Sequence, residues 1–311
     1  MLIFLLSRLL RALATLFIIV TFAFVILRIA GDPVTRFYDV AATPPEVIAA
    51  FRMEWGLDKP LWQQFINYIG SVATGDLGNS MRENRPALVT VLARLPLTLQ
   101  LAIPVLFLKV LIGVTIGIFA ALHRNSFIDR SLMMVSVLGI TVPTFVIGLV
   151  LAMIFAVQLR WLPSGGYTEL RHMLLPVATM TIAGSAVIAR YTRSAMLDVL
   201  GQPFVRAASA KGLKSRLVII RHVLPNAAVS IITIFGLMLG GLIGGAVVVE
   251  SVFSWPGVGR LLIDSVSSRD LAVVQTILLM IGVTMVISNL LVDVIYGLID
   301  PRMRDPRHTG E

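Results

Sequence analysis

Six apolar stretches divide this sequence, near 12–30, 96–122, 132–158, 174–190, 227–250 and 275–299, with polar segments of unequal length between them. Each reaches the roughly 17–25 residues that an α-helix needs to cross the hydrocarbon of a bilayer. The pattern predicts an all-α polytopic membrane protein of six transmembrane helices. A long polar segment, 31–95, follows the first helix, and a polar loop, 190–226, lies between the fourth and fifth. The chain thus divides into an N-terminal transmembrane helix (1–30), an external segment with short amphipathic helices (31–95), and a five-helix core (96–311) carrying the loop 190–226.

Arg8 and Arg11 precede the first stretch, and Arg28 stands at its far end with no small-residue cleavage site, so the stretch reads as an uncleaved span. In 31–95 two amphipathic helices are expected near 44–55 and 60–73, the first opening at Pro44-Pro45. Trp55, Trp62 and Tyr68 suit a membrane interface. This segment reads either as a cap at an entry mouth or as a packing element that shields the spans.

Composition agrees with the pattern. The 311 residues are 57% hydrophobic, with a mean hydropathy of +0.90. No cysteine is present, so disulfides and thiolate chemistry are excluded, and the four histidines show no H-x-x-x-H spacing for a metal. "AKGLKS" has Gly and Lys but not the phosphate-loop spacing, so no ATP site is expected in this chain. With the N-terminus inside, the whole net charge of +9 falls on the cytoplasmic pieces while the outer pieces balance. That asymmetry places both termini in the cytoplasm. It is a topology signal and not the footprint of a nucleic-acid partner.

The loop 190–226 gathers Arg190, Arg193, Arg206, Lys211, Lys214, Arg216 and Arg221 against one acid, Asp198. Pro203 suits the first position of a short helix. Phe204–Ala210 gives about two turns rich in alanine, and Gly212 suits a left-handed cap. A second short helix over Lys214–His222 is expected, with Pro225 at the entry to the next span. The small Ala207, Ala208 and Ala210 suit close approach to another protein, with Phe204 as a knob.

Other positions call for an account. Gly236, Gly240 and Gly244 recur at intervals of four in the fifth stretch, a face that lets helices approach closely, within the subunit or against a second one. Lys109, near the middle of the second span, has to face protein or water because a charge at that depth costs about 2.5–3.5 kcal/mol on insertion scales. It lines a pathway or pairs with an acid of a neighbouring subunit. Glu250 and Asp293 read as interfacial, and Asn289 and Asp293 share a helical face.

The spacing A-A-x-x-x-G followed by L-P, on Ala207, Ala208, Gly212, Leu224 and Pro225, resembles the EAA loop of ABC importer permeases. Arg206 stands where the general pattern has Glu, and His222 where it has Ile. "VRAASAKGL" is similar to the dipeptide, oligopeptide and nickel branch, which departs in this way. "GDPV", "GLDKPLWQQF", "GDLGNSM", "LPLTLQL", "VFSWPGVGRLL" and "NLLVDVIYGLIDPR" follow in the order of that branch, so the resemblance covers nearly the whole chain.

The resemblance implies a permease subunit that performs no chemistry itself. Its partners would be a second homologous permease, two ATP-binding subunits holding ATP and magnesium, an extracytoplasmic substrate-binding protein, and membrane lipid. It also implies an ATPase-coupling surface on Phe204, Arg206, Ala207, Ala208, Lys211, Gly212, Leu224 and Pro225. An external gate near Trp255, Pro256 and Gly257 is implied in the same way. Peptides are the expected substrates, with glutathione or chelated nickel as alternatives. An ion-driven secondary transporter is the rival class, but no internal repeat or mid-span acid supports it. No H-E-x-x-H, paired carboxylates or Ser-Lys site supports a membrane-embedded enzyme.

Overall fold

The computed structural model describes residues 2–29 and 31–299; side chains at 2–7, 9, 36, 237, 242, 243 and 293–299 lie outside the described set. Helix α1 (Leu2–Ile29) leads into the short α2 (Val34–Phe37), α3 (Pro45–Glu54) and α4 (Leu61–Thr74). The core runs through α5 (Ala87–Leu122), α6 (Phe127–Thr141), α7 (Thr144–Ala152), α8 (Arg171–Leu200), α9 (Pro203–Ala210), α10 (Ser215–Val218) and α11 (Leu224–Gly240). It closes with α12 (Leu242–Val252), α13 (Val258–Ser267) and α14 (Leu271–Ile299). Five helical runs are long and apolar enough to cross a membrane: 10–29, 87–122, 171–200, 215–240 and 271–292. A sixth candidate is α6 paired with α7 and the π-helical Met153–Gln158 that continues it, bent by 100° where Val142-Pro143 interrupts the apolar stretch. Pro lacks an N–H and disfavours helical backbone in the residue before it, which accounts for the break.

The fifth stretch differs from the sequence pattern. The span runs from Ser215 to Gly240, through the basic residues and Pro225, and ends before 250. A π-helical turn over Ile219–Val223 ends two residues before Pro225. Widening the helix there relieves the clash between the Pro ring and the carbonyl four residues back. Gly241 then divides α11 from α12.

The predicted glycine face divides as well. Gly236 lies against the side chain of Val292 and Gly240 beside Met285, both on α14, whereas Gly244 has open space around it. The first two are thus packing positions within the subunit.

The tightest helix pair is elsewhere. α5 lies along α8 in the most extensive contact of the molecule. A Cβ on Gly113 would come within 2.6 Å of the Ile188 Cβ, and one on Gly117 within 2.6 Å of the Ala189 carbonyl. This G-x-x-x-G step lets the two backbones meet. Overpacking a filled interface costs about 1–3 kcal/mol and sometimes more. Gly117→Leu is therefore expected to lower folded yield in detergent, and Gly240→Leu to be much milder because flexible Met285 can move aside. Equal yields of the two variants would contradict this assignment.

The segment 31–86 is fastened to the far end of the chain. Ser80 donates to the Asp270 carboxylate at the start of α14, and the Arg269 guanidinium donates to the Asp32 carbonyl at 2.8 Å and to the Thr35 hydroxyl. α4 packs its aromatic edge on α1, with Phe65 between Phe17 and Phe24 and Tyr68 stacked on Phe24.

Candidate functional site

The polar loop folds as turn chemistry dictates. α8 continues to Leu200, so Arg190 and Arg193 belong to it. Pro203 opens α9, and Gly212 takes φ +78°, the left-handed conformation that closes the helix at low steric cost. Helical periodicity sorts α9 into two faces. Val205 and Ala208, three apart, turn inward and are 5% and 8% exposed. They join Ala121, Ala195, Met196, Val218, Val223 and Ala227 in one apolar cluster. Phe204, Arg206, Ala207, Ala210, Lys211 and Gly212 are exposed. Ala208 thus seats α9 on its own subunit, and Ala207 lies on the outer face. Leu224 is half-buried against the cluster and Pro225 is exposed.

Between α6 and α8 sits a charge pair that sequence reasoning missed. Arg193 Nε and Nη2 donate to the two oxygens of Asp129 at 2.6 and 2.7 Å. Asp129 is 2% exposed. Ser126 caps α6 by accepting the Asp129 N–H at 3.1 Å, and Asp129 accepts the Asn125 N–H at 3.0 Å. One carboxylate therefore fixes the α5–α6 turn, the first turn of α6 and the lower half of α8 together. A fork-to-fork Arg–carboxylate pair is directional as well as strong. The separation of 64 residues left no local sequence signal for it.

At the opposite end, the turn Phe253–Gly257 joins α12 to α13. Trp255 is 1% exposed, and its indole donates to the Leu97 carbonyl at 2.9 Å, so it anchors the turn from beneath. Pro256 and Gly257 instead line a cleft of about 310 Å³ with Arg94, Tyr167, Arg260 and Asp264.

Glu250, read from sequence as interfacial, is fully buried. It accepts the Thr98 hydroxyl at 2.7 Å and the Arg260 N–H at 3.0 Å, while Thr98 accepts the Val258 N–H at 2.8 Å. Glu250 and Thr98 together cap the N-terminus of α13, where free N–H groups and the helix dipole favour a carboxylate. Thr98→Val keeps the shape but strips partners from a buried carboxylate and a buried N–H, each costing about 1–3 kcal/mol. It is expected to lower the melting temperature in detergent, whereas Thr98→Ser is expected to hold it. Unchanged melting in Thr98→Val would contradict the capping role.

Lys109 is 8% exposed, its stem packed against Gly184 of α8. It forms no ion pair or hydrogen bond with any described residue. Asp293 and its side-chain relation to Asn289 lie outside the described residues. Among the described residues no cluster of metal-ligating side chains occurs.

Comparison with known proteins agrees with this architecture. The family model described as "Binding-protein-dependent transport system inner membrane component" matches residues 113–305, and its N-terminal counterpart matches residues 1–102. The glutathione transport system permease protein GsiC of Escherichia coli O6:H1 (strain CFT073) is 41% identical over 305 residues, 98% of this chain and 99% of that protein. GsiC of Salmonella choleraesuis is 42% identical over the same shares. Among solved structures, the inward-facing MetNI methionine ABC transporter matches with a TM-score of 0.59 at 17% identity, over 68% of this chain and 96% of that one. An amino acid ABC transporter with histidines gives 0.51 at 21%, over 73% and 96%. These structural likenesses speak for the fold.

The chain belongs to the binding-protein-dependent transport system inner membrane component family, in its dipeptide and oligopeptide branch. It is a permease subunit of an ABC importer, a multi-pass inner membrane protein.

Proposed function

We propose that this subunit forms part of the pathway of an ATP-driven importer of small peptides, with the tripeptide glutathione the first to test. The observation that carries the substrate class is the 41% identity to a glutathione permease over nearly the full length of both chains. A second permease completes the pathway, two ATP-binding subunits hold ATP and magnesium, and a binding protein delivers substrate. The subunit itself performs no bond chemistry.

The outer face of α9, with Phe204, Arg206, Ala207, Lys211 and Gly212, receives the motion of an ATP-binding subunit. Val205 and Ala208 pass it through the cluster at the base of α5, α8 and α11. The Arg193–Asp129 pair carries it on to α6. In this reading α9 and both termini are cytoplasmic, and the turn at Trp255, Pro256 and Gly257 lies at the external mouth.

The test is uptake of labelled glutathione and of di- and oligopeptides by proteoliposomes holding the reconstituted complex. Uptake that requires ATP, and that stops when the ATP-binding subunits are catalytically dead, is the expected result. Uptake driven by an ion gradient without ATP would overturn the reading. ATP-dependent uptake of nickel chelates alone would overturn its substrate half.

A further inference from the structure

A second cavity, of about 220 Å³, lies where α1, α4, the segment 76–81 and the start of α14 meet. Its chemistry serves neither coupling nor the turn at 253–257. Arg28 reaches its wall and makes no hydrogen bond or ion pair with any described residue; its guanidinium rests over the Phe24 ring at 5.2 Å. The nearby acid Asp32 is already taken by Arg52 at 2.6 Å.

Gln275 lines the same cavity from α14; it is 8% exposed, and its amide, which faces the cavity, makes no hydrogen bond to a described residue. On the opposite wall Gln64 Oε1 is buried without a hydrogen-bond partner among the described residues, as is Arg28 Nε. A buried polar atom left unpaired costs free energy, so such atoms in a native fold favour a polar occupant. Asp76 supplies the opposite charge at the rim, with one oxygen accepting the Gly78 N–H at 2.9 Å and the other without a partner among the described residues. Tyr68 adds a neutral hydroxyl, its phenol pushed up to about 12 by burial.

The depth of the cavity limits the occupant. Arg28 is the last charge of a 20-residue apolar run that ends at Ile29, which is the headgroup level of a bilayer. α4, whose Gln64, Asn67, Tyr68 and Ser71 line the cavity, exposes Leu61, Trp62 and Ile66 away from it at 60%, 65% and 58%, apolar side chains suited to lying among acyl chains. A ligand at this level with an anion for Arg28 and Gln275, an ammonium for Asp76 and an apolar tail beside α4 is a phospholipid.

We propose that this cavity is a lipid site that holds the amino-phosphate headgroup of a membrane phospholipid. The phosphate sits on Arg28 and Gln275 and the amine on Asp76. An occupied site ties α1 and α4 to α14, the junction that Arg269 and Asp270 fasten from the other side.

The full chain, purified in mild detergent and incubated with defined lipids, tests this by native mass spectrometry. Wild type is expected to retain one phosphatidylethanolamine at collision energies that strip phosphatidylglycerol. Gln275→Leu and Arg28→Gln each remove a hydrogen bond to a charged group, so retention is expected to fall about tenfold. Asp76→Asn, an exposed and conservative change, is expected to erase the preference for the amine while leaving phosphate-dependent retention. Four results would overturn the proposal: no retained lipid in wild type, wild-type retention in Gln275→Leu and Arg28→Gln, displacement by millimolar inorganic phosphate, which would assign the site to a free anion, or displacement by glutathione, which would assign it to substrate.

Discussion

Gly212→Pro is expected to abolish ATP-driven uptake while the protein still reaches the membrane at wild-type levels. Gly212 sits at φ +78° and its N–H donates to the Ser209 carbonyl at 3.0 Å. Proline fixes φ near −65° and has no N–H, so both the left-handed cap and that hydrogen bond are lost. The site is exposed, with no atom near an added Cβ, so the damage stays local to the end of α9. Gly212→Asn, which tolerates the left-handed region, is expected to retain part of the uptake. Ala207→Trp is expected to give the same uncoupled phenotype by sterics on the outer face. Ala208→Trp acts differently, because Ala208 is packed against its own subunit and a large ring there unseats α9. The check is uptake and stimulated ATP hydrolysis at matched membrane levels. Normal coupling in both Gly212→Pro and Ala207→Trp would remove α9 from the account.

Breaking the Arg193–Asp129 pair is expected to have the largest effect on stability. The Asp129 side chain is 3% exposed and the Arg193 side chain 25% exposed. Arg193→Met strands a buried carboxylate, and removing one partner of such a pair costs about 3–5 kcal/mol. The pair itself contributes little net stability, because desolvation offsets attraction. The double variant Arg193→Met with Asp129→Asn is therefore expected to recover much of the loss in melting temperature. If the account of force transfer holds, that double variant folds yet transports poorly, since α6 is no longer tied to α8. Wild-type uptake in the folded double variant would show that the pair is structural alone.

How much of this was legible in the sequence follows from the range of each signal. α9 was readable because Pro203, the alanines and Gly212 act through local backbone preferences. Which of its faces points inward was not, since Val205 and Ala208 turn inward only because the cluster from α5, α8 and α11 is there to receive them. The spans were readable from apolar length, but their ends were not. The basic residues of 215–223 lie on the span's own helix, and the bend at Pro143 breaks a stretch that hydropathy runs together. Gly113 and Gly117 were visible as a G-x-x-x-G step, yet Gly236, Gly240 and Gly244 gave a longer repeat and a more prominent pattern. Glu250 lies near a span end, where an acid is cheap to place in water. Its role appears only once α5 brings Thr98 to it from 152 residues away.

The central claim is that the outer face of α9 meets an ATP-binding subunit. Because the chain has no cysteine, Ala207→Cys gives a single thiol on that face, and Ala73→Cys one on exposed α4. Each is labelled with a thiol-reactive photo-crosslinker in the assembled transporter and irradiated. A crosslink from position 207 to an ATP-binding subunit, with none from position 73, is the predicted result. No such crosslink from 207 at full labelling, or one from 73 instead, would contradict the account.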